Sequence, residues 1–478
     1  MPVSAVADLL RRIDAAPSGR ATAAIFDYDG TLIDGYSAAT LYKHRLRSRD
    51  IGPAEALRVL VASFRGIRDT EDFEKFLDRG LRSFAGRSEA ELVELGGRLF
   101  TKEIAARLRP ETWELAQAHR RAGHTIVMAS SATRFQVEPM AREIQADHVL
   151  CTRLGVKDGA LTGCVEGRAL WGAEKAAAVE RLASVEGLEL SASFAYSDGD
   201  EDIPLLELVG SPVAISPRPF LAGTAAKRNW TTLVVGDRSR PGGGGLARTI
   251  GLYGGFASGV AAAVGVGLIQ QSRRRFLDTA IGVGSDLGLG IAGIDVAVVR
   301  GQAHVWSARP CVFLFNHQSN LDALVVMNVL RGGFTGVVKK EIASYPIWGQ
   351  LFQLGDAAFV DRSDHEQALT ALEPAIARLR EGLSLVMAPE GTRSSTPRLG
   401  PFKKGAFHVA RQAGVPVVPV VIKGTGELMP RGEQLIRAGR VEVVVLPPID
   451  VKRWPQNFTR RVERVRQQFL DTLDDWPG

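Results

Sequence analysis

A histidine lies five residues ahead of an aspartate, His317 and Asp322 in Phe315-Asn-His-Gln-Ser-Asn-Leu-Asp322, just after the apolar run Cys311–Phe315. Neutral imidazole at the carboxyl end of a buried strand can take a proton from an attacking alcohol. A carboxylate returning to its other nitrogen would fix the tautomer and stabilise the imidazolium. The pair alone is more ordinarily a surface histidine near a helix start, with the aspartate an ordinary helical residue. Cations further along weigh on that choice: Arg362 after another apolar run, Arg393 within Pro389-Glu390-Gly391-Thr392-Arg393-Ser394, and Lys403-Lys404. Arginine forks and the N–H groups of a Gly-Thr turn suit phosphate oxygens. A proton acceptor beside phosphate anchors fits an acceptor with a hydroxyl near a phosphate, as in a glycerol phosphate. Lys403 and Lys404 read equally as further anchors or as solvated lysines.

A second cluster opens with Asp27-Tyr28-Asp29-Gly30-Thr31 after the apolar Ala23–Phe26. One of two such carboxylates can attack phosphorus while the other protonates the leaving oxygen and then activates water. Acidic turns are common, so the companions matter. Ser130 closes the run Thr125–Ala129 and offers a hydroxyl to a phosphoryl oxygen, Lys175 can neutralise nucleophile and phosphate, and Ser197-Asp198-Gly-Asp-Glu-Asp202 is an acidic cluster suited to Mg2+. A hard cation held by Asp27, the Asp29 carbonyl, Asp198 and a phosphate oxygen is chemically coherent.

The elements that must position these groups form an α/β chain. Short apolar runs alternate with helical stretches over residues 21–235, as in a Rossmann-like parallel-sheet domain, and a charged helical stretch at about 36–115 interrupts them as an inserted cap. Residues 1–20 read as a separate amphipathic helix. A Gly-rich linker, Asp237–Gly245, leads into Thr249–Ser272, which holds no charged residue, and Arg273-Arg274-Arg275 closes it. Gly251, Gly255 and Gly259 recur every fourth residue, which lets another helix approach, and Phe276–Val299 can supply it. Two readings of this 236–300 segment stand: a Gly/Ala-rich helix buried between soluble domains, or the preferred hairpin at the membrane. A full crossing would separate the two clusters, although acyl thioesters are cytosolic. A second α/β domain follows over 301–478.

The 478 residues suffice for two or three cored domains, and a net charge of +6 suits anionic partners, phospholipid head groups included. No basic run is interleaved with aromatics, so no nucleic-acid partner is expected. Three cysteines build no disulfide framework and fit a reducing compartment. Val3–Ala16 lacks a signal-type apolar stretch, so both ends are expected at the cytoplasmic face of the cell membrane.

Over about 301–450 four ordered blocks resemble the glycerol-3-phosphate/lysophosphatidate acyltransferase family: His317 with Asp322, Phe359–Arg362, Glu390–Arg393, and Val415-Pro-Val-Val-Pro419. The resemblance implies His317 as general base, Asp322 as its partner, and Arg362, Glu390, Gly391, Thr392 and Arg393 around the acceptor phosphate. It further implies direct transfer from acyl-CoA or acyl carrier protein to 1-acylglycerol 3-phosphate, with glycerol 3-phosphate or another lipid alcohol as the alternative acceptor. Residues 23–230 resemble the phosphoserine phosphatase-like branch of the haloacid dehalogenase superfamily. That implies Asp27 as nucleophile, an aspartyl-phosphate intermediate, Asp29 as acid/base, Ser130 and Lys175 on phosphate, and Mg2+ at Asp27, Asp29, Asp198 and Asp202. The phosphoserine enzymes carry a glutamate nine residues after the nucleophile; Tyr36 stands here, so phosphoserine itself is in doubt. The expectation is a bifunctional enzyme acting on a lysophospholipid, an acyl thioester and a phosphomonoester. Hydrolysis of the phosphatidate product would make the two steps sequential, and linkage would raise the local concentration of that product. A non-catalytic sensor or dimerisation role for the first domain is the other reading, and a homodimer stays open.

Overall fold

The computed structural model describes residues 2–51, 70–236, 244–344, 348–360 and 373–477. The middle of the expected cap, most of the Gly-rich linker and Arg362 lie outside them. The chain divides into two compact units, Met1–Arg240 and Pro241–Gly478.

In the first unit, helix α1 (Pro2–Ala15) precedes a six-stranded parallel sheet. Its strands are β1 (Ala23–Phe26), β2 (Thr125–Thr133), β3 (His148–Thr152), β6 (Phe194–Ser197), β7 (Ser211–Ile215) and β8 (Thr231–Leu233), in the order β3-β2-β1-β6-β7-β8. Near-continuous apolar runs suit strands covered on both faces. Phe26, Met128 and Tyr196 point to one face, where Leu9 and Ile13 of α1 join their core. The N-terminal helix is therefore part of this unit and not a separate piece. Ile25, Val127 and Ala195 point to the other face, covered in part by Val179 of α5 (Ala173–Glu186). Strand order reverses between β1 and β6, and in open α/β sheets ligands bind at such a switch point, outside the carboxyl ends.

Between β1 and β2 lie α2 (Ser37–Arg47), α3 (Thr70–Leu81) and α4 (Glu89–Leu99) of the expected cap. A second insertion, the antiparallel hairpin β4 (Leu154–Lys157) and β5 (Ala160–Val165), joins them; its two-residue turn is Asp158-Gly159, both at positive φ. Gly86 N donates to Leu161 O at 2.8 Å and Leu161 N to Arg87 O at 2.9 Å, so the cap is composite.

Beneath the sheet runs a buried polar chain. Tyr196 OH is 2.7 Å from His119 Nε2, His119 Nδ1 is 2.7 Å from His124 Nδ1, and His124 Nε2 is 3.1 Å from Pro17 O. All the groups are satisfied if Tyr196 donates to His119, His119 to His124 and His124 to the carbonyl. That pattern requires both imidazoles to be neutral.

The second unit carries a seven-stranded sheet ordered β12-β11-β13-β10-β14-β15-β9. These are β9 (Ile294–Arg300), β10 (Val312–Phe315), β11 (Phe334–Lys339), β12 (Ala358–Val360), β13 (Ser384–Met387), β14 (Val417–Lys423) and β15 (Gly439–Val445). β12, β11, β13, β10 and β14 run parallel, while β15 is antiparallel to β14 and carries β9 parallel to itself. Ahead of the sheet stands a helical hairpin, α6 (Gly244–Gln270) and α7 (Arg273–Ile291). Its second arm is shorter than the expected 276–299: Gly293, at φ +71°, ends the turn, and Ile294–Arg300 becomes an edge strand of the sheet. The domain boundary drawn at 300 therefore cuts a sheet that begins at 294.

The glycine stripe of α6 does meet a partner stripe. A Cβ on Gly259 would stand 2.4 Å from Gly284 Cα, one on Gly255 2.8 Å from Leu287 O, and one on Gly288 2.8 Å from Leu252 O. Leu252, Phe256 and Leu289 belong to the same core as the sheet, whereas Ile250, Leu268 and Ile269 are exposed. By length and composition α6 is the one helix among the described residues apolar and long enough to cross a membrane.

Burial holds both imidazoles of the first unit below their ordinary values, well below for His119. They fold neutral, and the unfolded chain takes up protons at about pH 6.5. Their contribution is therefore whole above about pH 6.5 and is lost as the pH falls below it. Chemical unfolding of the first unit between pH 8 and 5 should show this loss, with an added slope approaching one proton per histidine, and His124→Gln should flatten it.

Candidate active sites

In the first unit the sequence-predicted groups converge at the switch point. Asp27 follows β1, Ser130 lies near the end of the paired β2, Asp198 follows β6, and Lys175 enters from the first turn of α5. Lys175 Nζ lies 3.0 Å from Asp27 Oδ1 and 2.8 Å from Asp202 Oδ2, with all three side chains buried. Ser197 Oγ also donates to Asp202, at 2.6 Å. Burial alone would lower the Lys175 pKa, but the Asp202 and Asp27 carboxylates outweigh it and hold the ammonium charged. Asp27 is pushed well above the usual carboxylate range by burial, which Lys175 only partly offsets.

Asp29 is tied to the cap. Its carboxylate accepts from Ser37 N at 2.7 Å and Ser37 Oγ at 3.0 Å at the start of α2, and Gln136 Nε2 supports Ser37 Oγ at 3.1 Å. Burial pushes its carboxyl up to about 6, so it exchanges a proton near neutrality. Ser37 and Gln136 were not among the expected residues, because nothing in their local sequence ties them to Asp29.

Asp198 leans over Gly30, whose absent side chain is the reason it fits: a Cβ there would lie 2.2 Å from Asp198 Oδ2. Thr31 Oγ1 is 3.4 Å from Asp198 Oδ1, and burial pushes that carboxyl up to about 7. Asp27, on the loop after β1, and the half-buried Asp198, on the loop after β6, are thus carboxylates disfavoured as anions by burial, and a hard divalent cation would relieve both. The residues fit Mg2+ in that sense. Lys175 faces both oxygens of Asp202 and Ser37 both oxygens of Asp29, whereas Lys175 meets Asp27 through Oδ1, which leaves Asp27 Oδ2 and Asp198 as the side-chain donors. Among the described residues no three His, Cys, Asp or Glu side chains converge to hold an ion unaided. The Asp29 carbonyl and substrate oxygens would have to complete the set.

In the second unit His317 is held at three points. Its Nδ1 lies 2.8 Å from Asp322 Oδ2, its N–H donates to Glu390 Oε1 at 2.8 Å, and its carbonyl accepts from Ser394 N at 2.8 Å. Asp322 sits in the first turn of α8 (Leu321–Leu330) and is 0 % exposed. The same Oδ2 accepts from Gln318 N at 2.7 Å and Ser319 N at 2.8 Å. Because a carboxylate only accepts, His317 Nδ1 carries the proton and the Nε2 lone pair is left for chemistry. Among the described residues Nε2 has no hydrogen-bond partner.

The loop beneath is locked by Asn316, which accepts from Ile422 N at 2.7 Å and donates to Ile422 O at 2.8 Å on β14. Glu390 has a different role from the phosphate contact expected of it. It is buried, and its second oxygen accepts from Ser394 Oγ at 2.7 Å and Gly400 N at 2.9 Å. It positions His317 and the Gly391–Ser394 turn. Gly391, at φ +73°, closes that turn, and the Lys403 side chain lies across it, within 3.1 Å of where a Cβ would be. Thr392 is exposed on the turn. Arg393 reaches Asn320 Oδ1 at 2.7 Å, and its carbonyl accepts from Arg431 at 2.6 Å. Asn316, Ser394 and Arg431 are site residues that the sequence reading missed.

Comparison with known proteins bears on each unit separately. Residues 24–207 match the family model described as haloacid dehalogenase-like hydrolase, and residues 296–423 match the one described as acyltransferase. The chain joins a haloacid dehalogenase-like domain to an acyltransferase domain. A 1-acyl-sn-glycerol-3-phosphate acyltransferase of Limnanthes douglasii is 38% identical over 165 residues, 34% of this chain and 58% of that protein. The corresponding yeast (Saccharomyces cerevisiae) enzyme is 34% identical over 187 residues, 38% of this chain and 61% of its own length. The chain thus spans little more than half the length of these curated relatives. Among solved structures, the 1-acyl-sn-glycerophosphate acyltransferase of Thermotoga maritima is 24% identical at TM-score 0.42, covering 48% of this chain and 95% of that one.

Glutamine at 390 has one acceptor oxygen where Glu390 uses two, so Glu390→Gln must turn an amide N–H₂ toward one set of donors. One lost buried bond costs about 1–3 kcal/mol. Thermal unfolding of the acyltransferase domain should move down accordingly, whichever of the two sets of donors faces the amide N–H₂.

Proposed function

We propose that the acyltransferase domain moves an acyl group from acyl-CoA or acyl carrier protein to the free hydroxyl of 1-acylglycerol 3-phosphate, giving phosphatidate. The observation that carries this is the His317–Asp322 contact: a buried carboxylate holds Nδ1 protonated and leaves Nε2 basic. His317 Nε2 takes the acceptor hydroxyl's proton as that oxygen attacks the thioester carbonyl. The tetrahedral adduct collapses, the carbon–sulfur bond breaks, and the imidazolium returns the proton to the leaving thiolate. Arg393, Lys403 and Arg431, with Arg362 outside the described residues, supply positive charge for the acceptor phosphate. The exposed apolar residues of α6, near the Arg273–Arg275 run, fit attachment at the cytoplasmic membrane surface without a crossing.

The haloacid dehalogenase-like domain acts, in the same reading, as a phosphomonoesterase. Asp27 attacks phosphorus, Asp29 at about pKa 6 gives its proton to the leaving oxygen, and the same carboxylate then activates the water that cleaves the aspartyl phosphate. Lys175 and Ser130 hold phosphoryl oxygens. Asp27 and Asp198 are the side chains that would hold Mg2+, which when bound would neutralise phosphate charge. A sensor would have no use for an acid/base tethered as Asp29 is.

Acyl transfer from an acyl-CoA to lysophosphatidate in detergent should fall about 10²–10⁴-fold in His317→Ala. Glycerol 3-phosphate as competing acceptor tests the acceptor assignment, and an active His317→Ala enzyme would remove the proposed base. Asp27→Asn should abolish phosphomonoester turnover and leave acyl transfer intact.

A further inference from the structure

Tyr36 and Arg218 meet at the edge of the phosphatase site, although 182 residues separate them. An Arg218 N–H donates to the Tyr36 hydroxyl, and the guanidinium carbon lies 5.9 Å from the tyrosine ring centroid. Both are tied by backbone to the catalytic loops. Gly35 O, just before Tyr36, accepts from Gly30 N at 3.1 Å, and Arg218 N donates to Asp198 O at 3.2 Å. Arg218 Nη1 also donates to Glu201 Oε2 at 3.5 Å, a long ion pair that an anionic ligand would compete with, and Arg107 adds a second cation 3.5 Å from the Tyr36 carbonyl. Tyr36 is 46% exposed and the Arg218 side chain 41%, so both can meet a ligand.

The direction of the leaving group follows from Asp29. That carboxylate protonates the leaving oxygen and is bonded to Ser37, the residue after Tyr36. A leaving group departing past Asp29 therefore emerges beside Tyr36 and Arg218. A guanidinium already held by a tyrosine loses less freedom on binding an anion than a free one.

We propose that Tyr36 and Arg218 select the leaving group, so that the site prefers a phosphomonoester whose leaving group carries its own anion, a carboxylate or a phosphodiester. This rests on the phosphomonoesterase reading and narrows it. Diacylglycerol, the leaving group of phosphatidate, offers Arg218 no such charge.

The test compares kcat/KM of the full-length protein with Mg2+ on two matched pairs, with p-nitrophenyl phosphate as reference. The soluble pair is 3-phosphoglycerate against phosphoethanolamine; the lipid pair, in detergent micelles, is phosphatidylglycerol phosphate against phosphatidate. At least one pair should favour the anionic leaving group by about tenfold or more, the electrostatic gain of one partly exposed ion pair. Preference in the soluble pair alone identifies a free metabolite, and in the lipid pair alone a lipid head group. Arg218→Gln should erase the preference mainly through KM, and Arg218→Lys should restore part of it. Equal rates within both pairs, or an equal loss on every substrate in Arg218→Gln, overturn the proposal while p-nitrophenyl phosphate turnover leaves the phosphatase intact. No turnover of any substrate by wild type overturns the phosphatase reading and this one with it.

Discussion

A carboxylate taken out of water has to be met by donors or by positive charge, and both candidate sites are built around that constraint. Asp322 is buried and takes two backbone amides and an imidazole on one oxygen. Asp27 and Asp202 are buried around one ammonium, that of Lys175. These contacts set the chemistry directly: the first decides which nitrogen of His317 is basic, and the second keeps Lys175 charged where a phosphate would bind. The surrounding loops follow, since each donor must arrive from a different element.

The two domains solve the problem with the same kind of scaffold. In each, the candidate site groups stand just past the carboxyl ends of central parallel strands, β1 and β6 in one and β10 and β13 in the other. Short buried strands make that edge rigid, and the loops leaving it are free to be polar. The domains differ in how the site is completed. In the haloacid dehalogenase-like domain the inserted cap supplies Ser37, which anchors Asp29. In the acyltransferase Asn316 cross-links the histidine loop to β14, and Glu390 joins it to the turn that follows β13.

Much was legible in the primary structure because the signals are local. The apolar runs at 23–26, 125–129, 311–315 and 415–422 all fall on strands, and the glycines spaced by four on α6 do face a second helix. The role of Glu390 was not legible. An acidic residue beside Gly-Thr-Arg reads as part of a substrate surface, and only its burial against the His317 amide reveals a positioning role. The hairpin β4–β5 and the edge strand β9 do carry local signals, the Asp158-Gly159 turn and the β-branched Ile294, Val296, Val298 and Val299, but only their ladders reveal where they pair.

The sequence by itself determined the residue types able to react, their places after apolar runs, and the α/β character of both domains, since periodicity and motif order are properties of neighbours in the chain. Tertiary structure alone decided that Lys175 also pairs with Asp202, which nitrogen of His317 is free, and that Arg218 stands beside Tyr36. Those pairings join residues as far as 182 positions apart. Their energies depend on burial and on distances of about 3 Å, which no spacing along the chain encodes.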